Sequence, residues 1–302
     1  MNCKLQLYAK KLEAVMIVAW NGQMKWQIGD VTITQFVETD TLGGTAFILP
    51  QATPDAVRGI EWLRPQFADE NGRLRMTINS FLVETPLRRI IVDTGLGNDK
   101  QNRIHPVWNG RKGPFLQDLA AAGCPADTID TVLCTHLHVD HLGWNTVLSQ
   151  GRWIPAFPNA RYLLGRIEFD YWKDVCEPSA AAIFDDSIRP VADAGLVDLI
   201  DPGHDVCSEL CVIPTPGHSP GHVSIRIRSK GEEALFIGDV AHHPCQLARI
   251  DWCSTVDSDP KQAIRTRRDL FSRFAGTPTR ILGGHFAGGS IVRDGDAFRP
   301  AP

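Results

Sequence analysis

The stretch Thr135–His141 constrains this chain more than any other segment, because His136, His138, Asp140 and His141 fall within six residues. The whole chain holds only ten histidines, so a polar loop with chance histidines explains the cluster poorly. The apolar run just before it, residues 131–134, predicts a buried strand. In an extended segment His136 and His138 point the same way, and a turn through Asp140 and His141 can aim a second pair at a neighbouring point. We expect a loop at a strand end that can feed two adjacent metal ions.

The composition bounds the class of protein and its partners. With 302 residues, 43% hydrophobic residues and 22% charged residues, the chain is long enough for a large buried core. The net charge of −4 gives no basic field for nucleic acid or an anionic membrane, and no apolar run approaches the roughly 20 residues of a membrane helix. A small-molecule substrate is therefore the expected partner, with no nucleic acid and no membrane, and a homodimer stays open.

The eight cysteines include no CxxC pair, which favours reduced thiols and a cytoplasmic location. Residues 14–20 form a short apolar run after three lysines that imitates a signal peptide only weakly, so a secreted or periplasmic location is the minor alternative. Residues 1–25 are interpreted as an N-terminal extension that can be poorly ordered. Residues 26–302 are interpreted as a single hydrolase domain.

Strand and helix patterns alternate along that domain. A strand or a hairpin with its turn at Gly29-Asp30 is predicted at 26–37. Further strands are predicted at 75–84, 89–92, 131–134, 160–164, 211–213, 223–228, 234–237 and 280–282, with helices at 114–122, 166–175 and 259–274 and a terminal hairpin around 294–296. Residues 176–196 are expected to be irregular. Four strands end in Gly, His or Asp, and their grouping into two halves predicts two β-sheets packed face to face with helices outside.

These motifs resemble the metallo-β-lactamase superfamily. Its HxHxDH signature is met by His136, His138, Asp140 and His141, and its later motifs follow in order as TPGHSPGH with His218, FIGDV with Asp239 and GGHF with His285. The resemblance implies an αββα sandwich of two mixed β-sheets, an α/β layered fold. It also implies that His136, His138 and His218 hold one metal ion, that Asp140, His141 and His285 hold another, and that Asp239 bridges them.

The donor types are consistent with that implication. Imidazoles suit zinc, while the carboxylates also allow iron, manganese or cobalt, so two divalent ions per chain are expected, with zinc favoured. Two ions about 3.5 to 4 Å apart can share a hydroxide, lower its pKa and polarise the bond under attack. Asp140 can bond to the attacking water and is the candidate proton shuttle.

The positions at which this sequence differs from the motifs of individual branches indicate the branch of the superfamily to which it is most similar. Asp239 stands at the bridging position and no Cys belongs to the second ligand set, which disfavours the true zinc β-lactamases. His138 is not Glu, which disfavours the flavodiiron reductases. The chain looks closest to the lactonase and methyl parathion hydrolase-like group. His242 lies three residues past the bridging Asp, where acyl-homoserine lactonases carry Tyr, so that substrate is in doubt.

We therefore expect a dinuclear metal-dependent hydrolase that cleaves a lactone or small ester by attack of the bridging hydroxide. An aryl phosphotriester hydrolase is the alternative, and a metal-containing ligand-binding or regulatory protein with little turnover is the alternative from another class. His242 is a catalytic candidate that could donate a hydrogen bond to a developing oxyanion; a supporting polar role is an equal alternative.

Weaker signals concern the surroundings of the site. Trp144, Trp108, Phe169 and Trp172 are candidates for the substrate pocket, although core packing is an equal or better explanation for most of them. Asp93, at a strand end, is expected to orient a ligand histidine and not to bind metal. Supporting roles are likewise expected for His222 and His243.

Overall fold

The computed structural model describes residues 16–18, 24–43, 45–175 and 177–301. One sheet contains eight strands: β1 (Met16–Val18), β2 (Lys25–Ile28), β3 (Val31–Leu42), β4 (Arg75–Glu84), β5 (Arg89–Val92), β6 (Thr131–Leu133), β9 (Arg161–Gly165) and β10 (Val197–Ile200). Its order is β1-β3-β4-β5-β6-β9-β10, with β2 also paired to β3. The pairs up to β5 are antiparallel and those from β5 to β10 are parallel, so the sheet is mixed.

A second mixed sheet contains β11 (Leu210–Pro214), β12 (Val223–Ser229), β13 (Glu232–Phe236) and β14 (Arg280–Leu282) in that order. The first three strands are antiparallel, and β13 and β14 are parallel. Two hairpins complete the strands, β7 (Thr146–Ser149) with β8 (Arg152–Pro155) and β15 (Ile291–Asp294) with β16 (Ala297–Pro300).

Seven α-helices lie in the described residues: α1 (Pro54–Arg58), α2 (Phe115–Ala121), α3 (Arg166–Lys173), α4 (Pro178–Ser187), α5 (Arg189–Asp193), α6 (Cys245–Ala248) and α7 (Pro260–Phe274). Short 3₁₀ turns occupy Thr45–Phe47, Glu61–Leu63, Pro106–Trp108, Ala126–Thr128 and Gly143–Asn145. The longest helix, α7, begins at the N-cap Asp259, whose side chain accepts from the backbone N–H of Gln262.

Three apolar layers hold the sandwich together. Between the sheets, Phe81 of β4 meets Phe236 of β13 with ring centroids 4.8 Å apart. On the outer face of the large sheet, Phe115 and Leu119 of α2 are buried. On the outer face of the small sheet, Phe271 of α7 is buried with its neighbours along the helix. The predicted αββα arrangement of two mixed sheets is confirmed.

Residues 176–196 were expected to be irregular, and that prediction was wrong. Glu177 caps α4 by accepting from the backbone N–H of Ala180, and Pro178 occupies the first turn, where its missing N–H costs nothing. The β7–β8 hairpin and β10 were not predicted. Of the extension proposed for residues 1–25, the structure describes β1, which pairs with the end of β3, and residues 24 and 25; the rest lies outside the described residues. None of the helices in the described ranges combines the length and apolar character needed to cross a bilayer.

Candidate metal centre

Four strand ends converge on one edge of the sandwich. His136 follows β6 of the large sheet, while His218, Asp239 and His285 follow β11, β13 and β14 of the small sheet. Each of these side chains is buried. The two sheets are thus needed together to assemble the site that the sequence motifs predict.

The first group of donors consists of His136, His138 and His218. The Nδ1 atom of His138 lies 2.8 Å from Nε2 of His218 and 3.0 Å from Nε2 of His136, and those two Nε2 atoms are 3.2 Å apart. Tetrahedral zinc with bonds of about 2.0 to 2.1 Å separates its nitrogen ligands by about 3.3 Å. The three nitrogens therefore have nearly the spacing of three corners of a zinc tetrahedron.

The second group surrounds Asp239. Its Oδ2 lies 3.1 Å from Nε2 of His285 and 3.4 Å from Nε2 of both His141 and His242. The same oxygen lies 3.5 Å from Nε2 of His218. Asp140 completes a further group with His141 and His285. Asp239 thus stands between the two donor groups, as a bridging ligand would.

Hydrogen-bond acceptors at Nδ1 orient four of the histidines so that their Nε2 atoms face the centre of the cluster. The Nδ1 atoms of four histidines have hydrogen-bond acceptors on the side away from it: Thr135 Oγ1 for His136, Asp93 for His141, Asp257 for His218 and the carbonyl of Thr77 for His285. A proton held at Nδ1 leaves Nε2 free as a ligand. Among the described residues, His141 Nε2 and Asp239 Oδ1 are buried without a hydrogen-bond partner, which fits atoms that bind a cation.

Asp93 supports the centre from the end of β5. Its carboxylate accepts from the backbone N–H and the hydroxyl of Thr135 at 2.7 and 2.8 Å, and faces Nδ1 of His141 at 2.8 Å. Its backbone φ of +52° is unusual for a residue other than glycine. That conformation turns the side chain from the strand towards the histidine loop.

His218 and Asp239 have supports of their own. Oδ1 of Asp257 lies 2.9 Å from Nδ1 of His218. His222 receives the backbone N–H of Asp239 at Nε2, 2.9 Å away, so its Nδ1–H is left for Thr215 Oγ1. His222 therefore orients the carboxylate loop. His243 bonds to the carbonyl of Phe67 and lies away from the metal-binding groups.

Glu168 of α3 ties a pocket helix to two ligand loops. Its buried carboxylate accepts from the backbone N–H of Leu137 and Gly221, the hydroxyl of Ser219 and the indole N–H of Trp172. The first contact fixes the loop of His136 and His138, and the next two fix the loop of His218. Four donors stabilise the buried charge and hold these three segments in register.

Close backbone contacts seat the histidine loop. A Cβ added to Gly143 would lie 2.0 Å from the carbonyl carbon and oxygen of Leu96, and one added to Gly284 would lie within 2.8 Å of Asp239 Oδ1 and His141 Cε1. Neither position has room for a side chain. Gly143 lets the loop after β5 pack onto the histidine loop, and Gly284 lets the backbone after β14 pass beside the metal-binding atoms.

Burial and mutual charge set the protonation of the site. Burial and the neighbouring imidazoles His141, His138 and His218 hold the pKa of His136 well below its ordinary value, and burial also lowers the pKa of His242. Burial opposes charge on His141 as well, but Asp239, Asp93 and Asp140 outweigh it and raise its pKa well above the ordinary value. Burial likewise works against the charge on Asp239, yet His285, His141 and His242 hold its pKa well below the ordinary value. The site therefore keeps its carboxylate ionised, as a metal ligand must be.

A cavity of about 880 Å³ opens onto the centre. Asp140, Asp239, His138, His242 and His285 line its floor. One wall comes from the segments around Phe47 and 102–111, and the other from α3 and α4; their apolar lining residues include Phe47, Ile48, Ile104, Val107, Trp108, Tyr171, Trp172, Ile183 and Phe184. The space is that of a small-molecule site with polar groups on one side and an apolar body.

The four aromatic pocket candidates divide into two pairs. Trp108 and Trp172 line the cavity. Trp144 and Phe169 do not, and the prediction that they face it was wrong. The indole of Trp144 is buried beside Phe115 and donates to Glu38, 3.0 Å away, while Phe169 packs on Phe184 in the core of the outer layer.

A match to a family model that includes every candidate metal ligand identifies the family. The model described as the metallo-beta-lactamase superfamily matches residues 74–285, from β4 to the last histidine of the site. The chain belongs to the metallo-β-lactamase superfamily.

Similar proteins within the superfamily include lactonases. The chain is 26% identical over 183 residues to the N-acyl homoserine lactonase AiiA of Bacillus thuringiensis subsp. kurstaki, covering 54% of this chain and 63% of that protein. It therefore spans less than two thirds of the length of the first curated relatives it matches. The solved structure of hydrolase AbOPH, described as in the beta lactamase superfamily, has a TM-score of 0.75 and 25% identity, covering 94% of this chain and 98% of the other. AidC, described as a dizinc quorum-quenching lactonase in complex with a product, has a TM-score of 0.77 at 23% identity, covering 93% and 97% of the two chains, and shows the fold.

Several supporting residues of this superfamily member had no recognisable sequence signal. Asp257 lies 39 positions after His218, and Glu168 lies 31 positions after Leu137, so neither belongs to the motif that it supports. His105 also went unnoticed: it lines the cavity with its ring 4.4 Å from that of Phe47 and 4.5 Å from that of Trp108. One sequence feature could have indicated that His105 lines the cavity: it is a histidine outside every family motif, within a long Gly/Asn-rich loop.

Proposed function

We propose that this protein is a metal-dependent hydrolase that opens a lactone or cleaves a small ester. The observation that carries the proposal is the position of Asp239, whose Oδ2 has imidazole nitrogens of His285, His141, His242 and His218 within 3.1 to 3.5 Å at the floor of a cavity. A ring of buried imidazoles around one ionised carboxylate is a donor set suited to metal ions.

The site is proposed to hold two divalent ions. His136, His138 and His218 would hold one, Asp140, His141 and His285 the other, and Asp239 would bridge them. Because imidazole nitrogens outnumber carboxylates, zinc is the proposed metal. When bound, such ions lower the pKa of a water ligand and polarise the bond under attack.

The chain's own residues would handle the proton and the developing charge. Asp140 lines the cavity, with Oδ2 3.7 Å from Nε2 of His285, and its carboxylate is placed to accept a proton from the attacking water. His242 also lines the cavity, and among the described residues neither of its ring nitrogens has a hydrogen-bond partner. Its N–H is therefore free to donate to the oxyanion or leaving group of a substrate.

The substrate class is supported by the cavity and by the relatives. A largely apolar wall beside a polar floor suits an uncharged substrate with a hydrophobic part. The curated relative named above is an N-acyl homoserine lactonase, which favours a lactone. An aryl phosphotriester is the second candidate, because the rings of Phe47, His105 and Trp108 form an aromatic face along the cavity.

A substrate panel on metal-loaded protein tests the proposal. Apo-protein would be loaded with zinc, manganese or cobalt, and assayed with aliphatic lactones, aryl esters, aryl phosphotriesters and a cephalosporin. We expect two bound ions per chain and turnover of a lactone or ester. Asp239→Asn should bind fewer ions and lose turnover, whereas Asp30→Asn, in a surface turn, should resemble the wild type.

Other outcomes select the alternatives. Turnover restricted to the phosphotriesters would favour the second candidate. Two bound ions with no turnover of any compound would favour a ligand-binding or regulatory protein. Fewer than two ions per chain, with no activity restored by any of the three metals, would refute the dinuclear hydrolase. For His242, unchanged turnover in His242→Ala would exclude the role proposed for its N–H.

A further inference from the structure

A buried charge cluster lies outside the metal centre, between the two walls of the cavity. Arg103 donates through Nη2 to both carboxylate oxygens of Asp186 at 2.9 Å. Nζ of Lys100 lies 2.9 Å from the backbone carbonyl of Asp186 and 3.4 Å from its carboxylate. The side chains of Lys100 and Arg103 are 0% and 1% exposed. None of these three residues serves the proposed reaction.

The cluster joins segments that are distant in sequence. Lys100 and Arg103 lie in the loop between β5 and α2, and Asp186 lies in the last turn of α4. Nζ of Lys100 also bonds to Thr146 Oγ1 at 2.6 Å and lies 3.7 Å from the ring centroid of Trp153, which adds the β7–β8 hairpin. The backbone carbonyl of Asp186 accepts from Lys100 and from the Thr146 hydroxyl, and its carboxylate accepts from Arg103, so the loop and the hairpin are both held to α4 at one point.

Both joined walls face the substrate cavity. The loop contributes Ile104, His105, Val107 and Trp108, and α4 contributes Ser179, Ala180 and Ile183. Neither the loop nor α4 carries any of the proposed metal ligands. The cluster is therefore positioned to control the distance between the walls without altering the metal centre.

Charge balance makes Asp186 the critical member. The buried Arg103 guanidinium and the buried Lys100 amino group share this one carboxylate, whose remaining contact is the Ser187 hydroxyl at 2.6 Å. Removing the carboxylate charge would leave the Arg103 guanidinium in a site away from water with no counter-ion, which is strongly unfavourable. The loop would then have to move away from α4 so that Arg103 reaches solvent.

We propose that Asp186 is a positioning residue that sets the width of the substrate cavity and thereby its selectivity for the size of the apolar part of the substrate. The consequence for selectivity rests on the proposed hydrolase function, whereas the link between the two walls does not. Asp185 provides a matched control on the same helix, because it pairs with Arg189 at the surface, where both side chains are 58% exposed.

Hydrogen exchange followed by mass spectrometry tests the link directly. In zinc-loaded Asp186→Asn, amides of residues 96–113 and 178–188 should exchange about tenfold faster than in Asp185→Asn, with zinc content unchanged. Arg103→Lys keeps the charge but loses the contact with both oxygens, and should give a smaller increase in the same two segments. Exchange in Asp186→Asn equal to that in Asp185→Asn, or an increase spread evenly over the chain in both cluster variants, would overturn the proposal.

Kinetics test the consequence for selectivity. With p-nitrophenyl acetate and p-nitrophenyl octanoate, Asp186→Asn should raise KM several-fold for the long ester, change it little for the short ester and leave kcat nearly unchanged. A fall in kcat at constant KM for both esters would overturn the selectivity role. If the wild type hydrolyses no compound of the panel, the proposed function fails, and the link between the walls is still decided by the exchange measurement.

Discussion

Oδ2 of Asp93 lies 2.8 Å from Nδ1 of His141, although the two residues are 48 positions apart in the chain. The same carboxylate accepts two further bonds, from the backbone N–H and the hydroxyl of Thr135. Three donors therefore converge on two oxygens. This relationship fixes the proton of His141 on the side away from the metal centre and connects the end of β5 to the histidine loop.

Replacing Asp93 by Asn should weaken metal binding. An amide offers one acceptor oxygen to three donors, so His141 can place its proton on Nε2, the nitrogen that is proposed to bind metal. The expected loss of metal affinity is about 10- to 100-fold. Competition with a chromogenic chelator would measure it, with Asp30→Asn as the control. Equal affinities in the two variants, at equal thermal stability, would contradict this role of Asp93.

Replacing Arg267 should lower the stability of the protein, although Arg267 is not among the proposed metal ligands. It is fully buried in α7 and donates to the carbonyls of Val240, Ile250 and Trp252, which hold the loop after Asp239. Arg267→Met removes the donor from the carbonyls of Val240 and Ile250, while that of Trp252 keeps Gln246, and should cost about 2 to 5 kcal/mol of unfolding free energy. Chemical denaturation of apo-protein measures the change. The exposed neighbour gives the control Arg268→Met, and a loss no larger than the control's would contradict the prediction.

The grouping of the candidate metal ligands was predictable because their information is local. His136, His138, Asp140 and His141 lie in one short string, and His218, Asp239 and His285 each follow a strand that its own pattern reveals. The two-sheet sandwich was predictable for the same reason, since strand periodicity shows in short windows. The geometry adds the hydrogen-bond supports of Nδ1 that aim these side chains inward.

The cavity walls were less predictable because they depend on long-range contacts. The direction of the Trp144 side chain is set by Glu38, which lies 106 positions earlier. Helix α4 lacks a distinctive apolar stripe, and its place is set by Asp186 through a loop more than 80 positions away. Such pairings leave no trace in local periodicity.

Gly143 should tolerate no side chain. Its added Cβ would lie 2.0 Å from backbone atoms of Leu96, which cannot swing aside as a flexible side chain would. Gly143→Ala should cost about 1 to 3 kcal/mol of unfolding free energy, or more if the loop after β5 separates from the histidine loop. Thermal and urea unfolding would measure it. Gly59→Ala is the control, because Gly59 has φ −70° and its added Cβ makes an ordinary contact of 3.4 Å. Equal stability of the two variants would show that the loops can move apart freely.

Lys100 should give the protein a characteristic dependence of stability on pH. Burial lowers the pKa of Lys100 from 10.5 to about 7; the negative charge of Asp186 opposes this shift, and the positive charge of Arg103 adds to it. The other two side chains that face Lys100, Thr146 and Trp153, are neutral. Between pH 7 and pH 10.5 the unfolded chain binds a proton at this position that the folded chain does not. The unfolding free energy therefore rises with pH across that window, and the gain is lost again as the pH falls towards 7. Relative to Lys100→Met, the wild type should gain on the order of 2 kcal/mol of unfolding free energy between pH 7 and pH 9.5. Urea denaturation of both proteins at the two pH values measures this difference, and parallel pH profiles would show that Lys100 does not lose its proton in that range.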